Sequence, residues 1–142
     1  MCHEASGYAL TSSIGAGKGT VTIDDFEEAD CVFVFGQNPG TNHPRMLDTL
    51  RDCVENGAQV LTFNTLKERG LERFQHPQNP VEMLTNSSKP LNTAYFTPKL
   101  GGDMAVIRGM AKHLLEREDA GESLLDWAFL NEHTQGYEAY LE

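Results

Sequence analysis

The stretch DCVFVFG at residues 30–36 decides the fold. Its apolar run is unbroken and ends in a glycine, which is typical of a strand buried on both faces of a parallel sheet. The stretch VLTFN at residues 60–64 has the same character. Two such strands predict a sheet that is covered by helices on its faces.

A helical pattern separates the two predicted strands. Leu47, Leu50 and Val54 have the spacing of one helix face, and the pair Asn56-Gly57 that follows is a helix stop. Strand, helix and strand in succession form a βαβ unit, and residues 93–96 supply a third candidate strand. We therefore predict an α/β fold, a Rossmann-like three-layer sandwich with a mostly parallel sheet.

The remaining segments complete a single predicted domain over residues 1–142. Residues 1–25 form a lead-in of loops and short elements, and residues 67–99 form a long irregular excursion. Asp103 begins the clearest helix, which carries an apolar stripe of Ile107, Met110, Ala111, Leu114 and Leu115. Ser123 with Asp126 resembles a capping box for a shorter helix.

Composition restricts the possible partners. The chain of 142 residues has 11 Lys and Arg against 21 Asp and Glu, which gives a net charge of −10. Nucleic-acid and anionic-membrane binders need clustered cations, so neither class is expected. A phosphate remains possible, because backbone N–H groups bind it without side-chain charge.

Cysteine usage and hydropathy indicate the compartment. The three cysteines form no C-x-x-C pair, which disfavours a disulfide framework and a self-contained zinc site. No apolar run approaches the roughly 18 residues of a membrane span, and the N-terminus has no signal-peptide pattern. We expect a cytoplasmic location with no membrane segment.

The loop after the first predicted strand is the best candidate for ligand binding. Ligands of open α/β sheets bind beyond the carboxyl ends of the strands, and this loop leads from such an end into a helix. It offers a terminal glycine and several uncharged donors: Gly36, Asn38, Thr41, Asn42 and His43. The alternative is an Asn-Pro turn that only connects strand to helix.

Two further positions have functional and structural interpretations. Asn64 ends the second strand, where dinucleotide folds contact a ribose or purine, but it lacks the carboxylate of an NAD site. Asp103 is either the N-cap of its helix or an acceptor for the N–H groups of a guanine edge. In the second case Gly101, which has no side chain, would allow the guanine to approach the backbone. The sequence GAGKGT at residues 15–20 has neither the strand nor the helix of a phosphate loop, so we interpret it as a surface loop.

Cys2 and His3 have reactive side chains at the start of the chain. A thiolate ligates soft or high-valent metals, and an adjacent imidazole relays protons. The alternative is an incidental terminal pair, since the spacing matches no zinc pattern.

Taken in order, the motifs resemble those of the molybdopterin oxidoreductases, specifically the formate-dehydrogenase-like alpha subunits of the dimethyl-sulfoxide-reductase superfamily. The resemblance covers nearly the whole chain apart from about residues 70–95. The matching stretches lie at residues 2–3, 13–15, 30–36, 38–39, 43–44, 56–58, 101–103 and 134–138.

The resemblance implies a domain that holds one of two molybdopterin guanine dinucleotides, which chelate molybdenum or tungsten. Cys2 falls at the position of the metal ligand, and His3 at that of a histidine assigned to proton handling. Residues 38–43 fall at the loop near the dinucleotide phosphates. Asn64 replaces an Asp that contacts the guanosine, and Asp103 matches the guanine-recognising position.

The resemblance also implies that the chain is a fragment of a larger enzyme. That enzyme would perform a two-electron oxidation or reduction of a small substrate, and a 4Fe-4S cluster is expected only in its missing N-terminal part. Its partners would be the substrate, an electron-transfer partner and the remaining domains. The fragment alone is expected to be inactive. The alternatives are a free-standing nucleotide- or phosphate-binding module without redox activity, and a structural interaction domain.

Overall fold

The computed structural model describes residues 3–141. By its internal contacts the chain divides into two compact units: unit 1 ends at Thr97, and unit 2 begins at Pro98. None of the helices within residues 3–141 has the length and hydrophobicity to cross a lipid bilayer. The elements are, in order, α1 (Glu4–Ile14), β1 (Cys31–Phe35), α2 (Pro39–Asn42), α3 (Met46–Glu55), β2 (Gln59–Phe63), α4 (Arg69–Glu72), β3 (Arg73–Phe74), α5 (Pro80–Thr85), β4 (Lys89–Pro90), β5 (Ala94–Phe96), α6 (Asp103–Asp119), α7 (Trp127–His133) and α8 (Tyr137–Leu141).

Unit 1 is built on a three-stranded parallel sheet with the strand order β1-β2-β5. Val32 lies opposite Val60, and Phe63 lies between Phe35 and Phe96. The predicted α/β, Rossmann-like fold with a parallel sheet is confirmed. All three strands therefore end at one edge of the sheet, where ligands of such folds bind.

The apolar face of α3 supplies much of the core of unit 1. Leu47, Leu50 and Cys53 are buried on this face, as the helical spacing predicts. Leu50 packs with Val34, Val60 and Leu71. The Cys53 thiol donates to the carbonyl of Phe26 at 3.0 Å, and its burial raises its pKa, so this cysteine has a structural role.

The prediction that β1 is buried on both faces is wrong. Val34 is buried, whereas Phe33 on the opposite face is 51% exposed. On that face the Phe35 and Phe63 rings stack at 4.6 Å, and Phe63 stacks on Phe96 at 4.9 Å. β1 is an edge strand of this sheet, and an apolar run does not reveal whether an element covers both of its faces.

The excursion between β2 and β5 is more ordered than we predicted. It contains α4, α5 and the antiparallel pair β3-β4, in which Arg73 lies opposite Pro90. Leu71 and Leu91 are almost wholly buried within it. Its elements are two to six residues long, so they show no periodicity in the sequence.

The lead-in is also more regular than we predicted. It contains the 11-residue helix α1, which ends at Gly15 in the left-handed conformation with φ of 76°. No residue of α1 is buried. Without a buried face there is no apolar stripe in the sequence to indicate a helix.

The helix predicted from Asp103 forms as α6, but two capping predictions for unit 2 are wrong. Gly102 occupies the cap position of α6, so Asp103 is the first helical residue and not the N-cap. The apolar stripe of α6 contains no buried residue, and Ile107 is 49% exposed. The N-cap of α7 is Asp126, which accepts from the backbone N–H of Phe129 at 2.9 Å, so the predicted capping box at Ser123 does not form.

Glu118 organises the turn between α6 and α7. Its carboxylate accepts the backbone N–H groups of Leu124 and Leu125 and the indole N–H of Trp127. These hydrogen bonds, with the Trp127 bond first, lower the pKa of Glu118. The same bonds explain why the helix begins beyond Ser123, which has a φ of 51°.

Candidate functional site

Asn64 joins the carboxyl ends of β1 and β2. Its side-chain Nδ2 donates to the carbonyl of Gln37 at 3.1 Å, and the backbone N–H of Gly36 donates to the carbonyl of Phe63 at 2.9 Å. An Asp at position 64 could not make the first bond, because an ionised carboxylate only accepts. Asn64 is buried, and its side chain therefore fixes the start of the loop after β1.

The loop after β1 folds into the single helical turn α2. Asn38 caps this turn, since its Oδ1 accepts from the backbone N–H of Thr41 at 3.3 Å. The backbone N–H groups of Thr41 and Asn42 also donate to the carbonyl of Asn38. These backbone donors, which we predicted for a phosphate, are therefore used within the turn. The exposed side chains of Thr41, Asn42 and His43 remain available for a ligand.

A second loop, which leads into α4, closes against the first one. A Cβ on Gly70 would lie 3.1 Å from the Cα of Gly40, so the two backbones approach closely enough that any side chain here would crowd the other loop. Asn38 Nδ2 donates to Glu68 Oε2 at 2.8 Å across the same junction. Beside this contact lies a cleft of about 790 Å³, lined by Asn38, Thr41, Glu68, Arg69, Glu72 and Arg73 among others.

The charges in this cleft are mixed. Among the charged residues of the lining are Arg69 and Arg73 as well as Glu68 and Glu72, so the formal charges balance. Arg73 is already engaged, because its Nε donates to the hydroxyl of Ser88 at 2.8 Å. The cleft thus offers both donors and acceptors, which suits a polar ligand that carries both an anionic group and amide-like edges.

We expect Gly70→Ala to destabilise unit 1 by about 1 kcal/mol, because the strain of moving the Gly40 backbone exceeds the stability that Ala gains over Gly in α4. Urea unfolding followed by circular dichroism measures this change. Gly19→Ala is the matched control, since a Cβ at Gly19 meets nothing within 4 Å. Equal stability of the two variants would contradict the close packing of the loops.

Of the described residues that we predicted for the site in unit 1, Asn38 and Thr41 line this cleft. His43 lines a separate apolar cavity with Phe33 and Met46, and Gly36, Asn42 and Asn64 are not part of the cleft lining.

His3 is exposed and precedes α1, and its carbonyl accepts from Gly7 at 2.8 Å. Cys2 lies outside the described residues. Gly101 and Asp103 belong to unit 2. Within residues 3–141 no group of three His, Cys, Asp or Glu side chains is arranged to hold a metal.

Sequence reasoning missed Glu68, Gly70 and Tyr95. Tyr95 contributes its hydroxyl, which accepts from the backbone N–H of Glu68 at 2.9 Å and donates to the carbonyl of Leu66 at 2.7 Å. The only local signal was a glycine in each of the two loops, Gly40 and Gly70. A tyrosine in a short strand and a glutamate in a polar segment carry no sequence signal of this contact.

Comparison with known proteins places the chain among oxidoreductase-related sequences. It is 53% identical to Protein YdeP of Escherichia coli K12 over 143 residues, which is 97% of this chain and 19% of that protein. It is 47% identical over 141 residues to the uncharacterized oxidoreductase Rv2900c of Mycobacterium tuberculosis H37Rv, covering 99% of this chain and 18% of that protein. No family model matches the chain.

A more distant similarity extends to formate dehydrogenases. The chain is 27% identical to formate dehydrogenase H of Escherichia coli K12 over 140 residues, covering 99% of this chain and 16% of that protein. The chain thus spans less than a fifth of the length of each of these relatives. Together they support an oxidoreductase-related, formate-dehydrogenase-like domain.

Proposed function

We propose that this chain is the molybdopterin guanine dinucleotide-binding segment of a larger molybdenum or tungsten oxidoreductase similar to formate dehydrogenase. The observation that carries the proposal is the junction of two loops at the carboxyl ends of β1 and β2, held by Asn38 and Asn64 beside a cleft of about 790 Å³. The relatives named as oxidoreductase and formate dehydrogenase support the same class.

The described residues fit the phosphate and nucleoside part of such a cofactor. Thr41 lines the cleft, and the neighbouring side chains of Asn42 and His43 are exposed polar groups on the same loop. Gly40 and Gly70 both line the cleft and place no side chain in it. We assign guanine recognition to Asp103 on the family resemblance alone.

The metal-binding end of the cofactor would involve Cys2 and His3. A bound pterin-chelated metal would exchange two electrons with a small substrate. Cys2 would contribute a thiolate ligand, and the His3 imidazole would accept or return the substrate proton. Iron–sulfur clusters, the second dinucleotide site and the electron partner would belong to the longer protein, so this chain alone would not turn over substrate.

We expect GDP to shift the amide signals of Asn38 and Asn64 in ¹⁵N NMR spectra at about millimolar concentration, and ATP to shift them less. Thr41→Val removes one donor and should weaken GDP binding by roughly threefold to tenfold. Thr20→Val, in an exposed segment, is the matched control and should leave the affinity unchanged. Asp103 signals report independently on guanine recognition.

The outcomes separate the proposal from its alternative. Shifts that are equal for GDP and ATP would favour a nucleotide- or phosphate-binding module without redox activity. No shift at Asn38 or Asn64 with either nucleotide would contradict both functions. Metal and pterin analysis of the longer native protein tests the redox assignment directly, and a preparation free of both would rule it out.

A further inference from the structure

Tyr95 anchors the second loop of the cleft to the sheet. Its ring lies on β5 and packs against the core cluster that contains Leu71. Its hydroxyl accepts from the backbone N–H of Glu68 and donates to the carbonyl of Leu66, at 2.9 and 2.7 Å. A phenol can do both at once, so a single oxygen holds the loop at two points.

The loop from 65 to 67 has little else to hold it in place. Thr65, Leu66 and Lys67 are all exposed, and Leu66 is 68% exposed. A segment without buried apolar side chains opens at low free-energy cost unless hydrogen bonds to a rigid element hold it. The hydroxyl of Tyr95 supplies such bonds from a ring that the core already fixes.

Glu68 connects the second loop, which Tyr95 holds in place, to the first loop. Its Oε2 accepts from Asn38 Nδ2 at 2.8 Å, while Asn38 Oδ1 accepts from the backbone N–H of Thr41. Both polar atoms of the Asn38 amide therefore have hydrogen-bond partners, which fixes the orientation of the amide. One hydrogen on Nδ2 remains for a ligand acceptor, because a primary amide has two.

We propose that Tyr95 and Glu68 are positioning residues, which hold the Asn38 amide in the orientation that binds the ligand at the cleft. This inference rests on the proposed function for the identity of the ligand. The orientation of Asn38 in the free protein does not depend on it. The chain of contacts links all three strands: Asn38 follows β1, Glu68 follows β2, and Tyr95 lies on β5.

Tyr95→Phe tests the proposal, since it removes both hydrogen bonds and keeps the ring in the core. In the ligand-free protein we expect the backbone N–H of Glu68 to exchange with solvent at least roughly fivefold faster. We also expect the side-chain NH₂ signals of Asn38 to move towards those of a free amide. With GDP as the probe, the affinity should fall by roughly fivefold to tenfold.

Two comparisons distinguish positioning from general destabilisation. Glu68→Gln keeps an acceptor for Asn38 and should retain both the Asn38 signals and the GDP affinity, whereas Glu68→Ala should lose them. Tyr8→Phe is the matched control, because Tyr8 is 80% exposed on α1. Tyr8→Phe should change neither the Asn38 side-chain signals nor the GDP affinity.

Unchanged Asn38 signals in Tyr95→Phe, or equal behaviour of Glu68→Gln and Glu68→Ala, would overturn the proposal. If the wild-type chain binds no GDP, the proposed function fails. The positioning is still decided in that case, because the exchange rate of Glu68 and the Asn38 signals are measured without ligand.

Discussion

Leu71→Ala is expected to lower the free energy of unfolding of unit 1 by about 3 kcal/mol, within the range for fully buried leucines. Leu71 has no exposed surface and packs with Val34, Leu50 and Val60. Truncation removes apolar contact and leaves a cavity that the parallel sheet and α3 are too rigid to close. Urea unfolding followed by circular dichroism measures the change.

Leu71 lies in the excursion at residues 67–99, which we predicted to be irregular. Leu84→Ala is the matched control, since this leucine lies in α5 of the same excursion and is 88% exposed. It should change stability by less than about 0.5 kcal/mol. A cost below about 1 kcal/mol for Leu71→Ala would mean that the excursion is not part of the core.

Arg51→Met is expected to lower the thermal midpoint of unit 1 by roughly 5–10 °C. Arg51 on α3 donates from Nη2 to Glu82 Oε1 at 2.8 Å and from Nε to Glu55 Oε1 at 2.9 Å. Glu82 is buried, so loss of its cation leaves a carboxylate with only its bonds to the His76 backbone and the Asn79 amide. Calorimetry measures the midpoint, and Arg45→Met, at an exposed position, is the control.

Arg51 and its two carboxylate partners make the stability of unit 1 depend on pH. Hydrogen bonds from Lys89 and then Arg51 lower the pKa of Glu55 to about 2, and those from the His76 backbone and then Arg51 lower the pKa of Glu82. The folded state holds fewer protons than the unfolded state, so this stabilisation is present above the ordinary value of 4.5 and is lost as the pH falls towards about 2.

In Arg51→Met, the acid-induced loss should begin at a higher pH, because the carboxyl groups lose a cation that lowered their pKa. Thermal midpoints measured between neutral pH and the acid range show this as a shifted and shallower curve. A variant that follows the wild-type curve throughout would mean that Arg51 contributes nothing to these carboxylates.

The sheet and its first crossover were predictable because their signals are local. The apolar runs at residues 30–36 and 60–64 and the spacing of Leu47, Leu50 and Val54 reflect the backbone geometry of single elements. These patterns do not reveal which faces are covered. Phe33, and Ile107 and Leu114 of the stripe on α6, are residue types typical of a core, and yet they are exposed.

The candidate site was only partly predictable, because its contacts join distant parts of the chain. Asn38 and Asn64 could be placed at strand ends from their sequence position. Their partners could not, since Asn38 meets Glu68 across 30 residues and Arg51 meets Glu82 across 31. Such pairs depend on how short elements pack against each other, and a periodic pattern in the sequence does not indicate that packing.

The turn at Glu118 has a practical consequence for all of these measurements. Trp127 is the only tryptophan of the chain, and it lies in unit 2, with its indole N–H bound to Glu118 and its ring against Tyr137. Its fluorescence emission therefore reports on the surroundings of this ring in unit 2. Unit 1, where Leu71, Arg51 and the cleft lie, contains no tryptophan, so one added to it would give each unit its own optical signal.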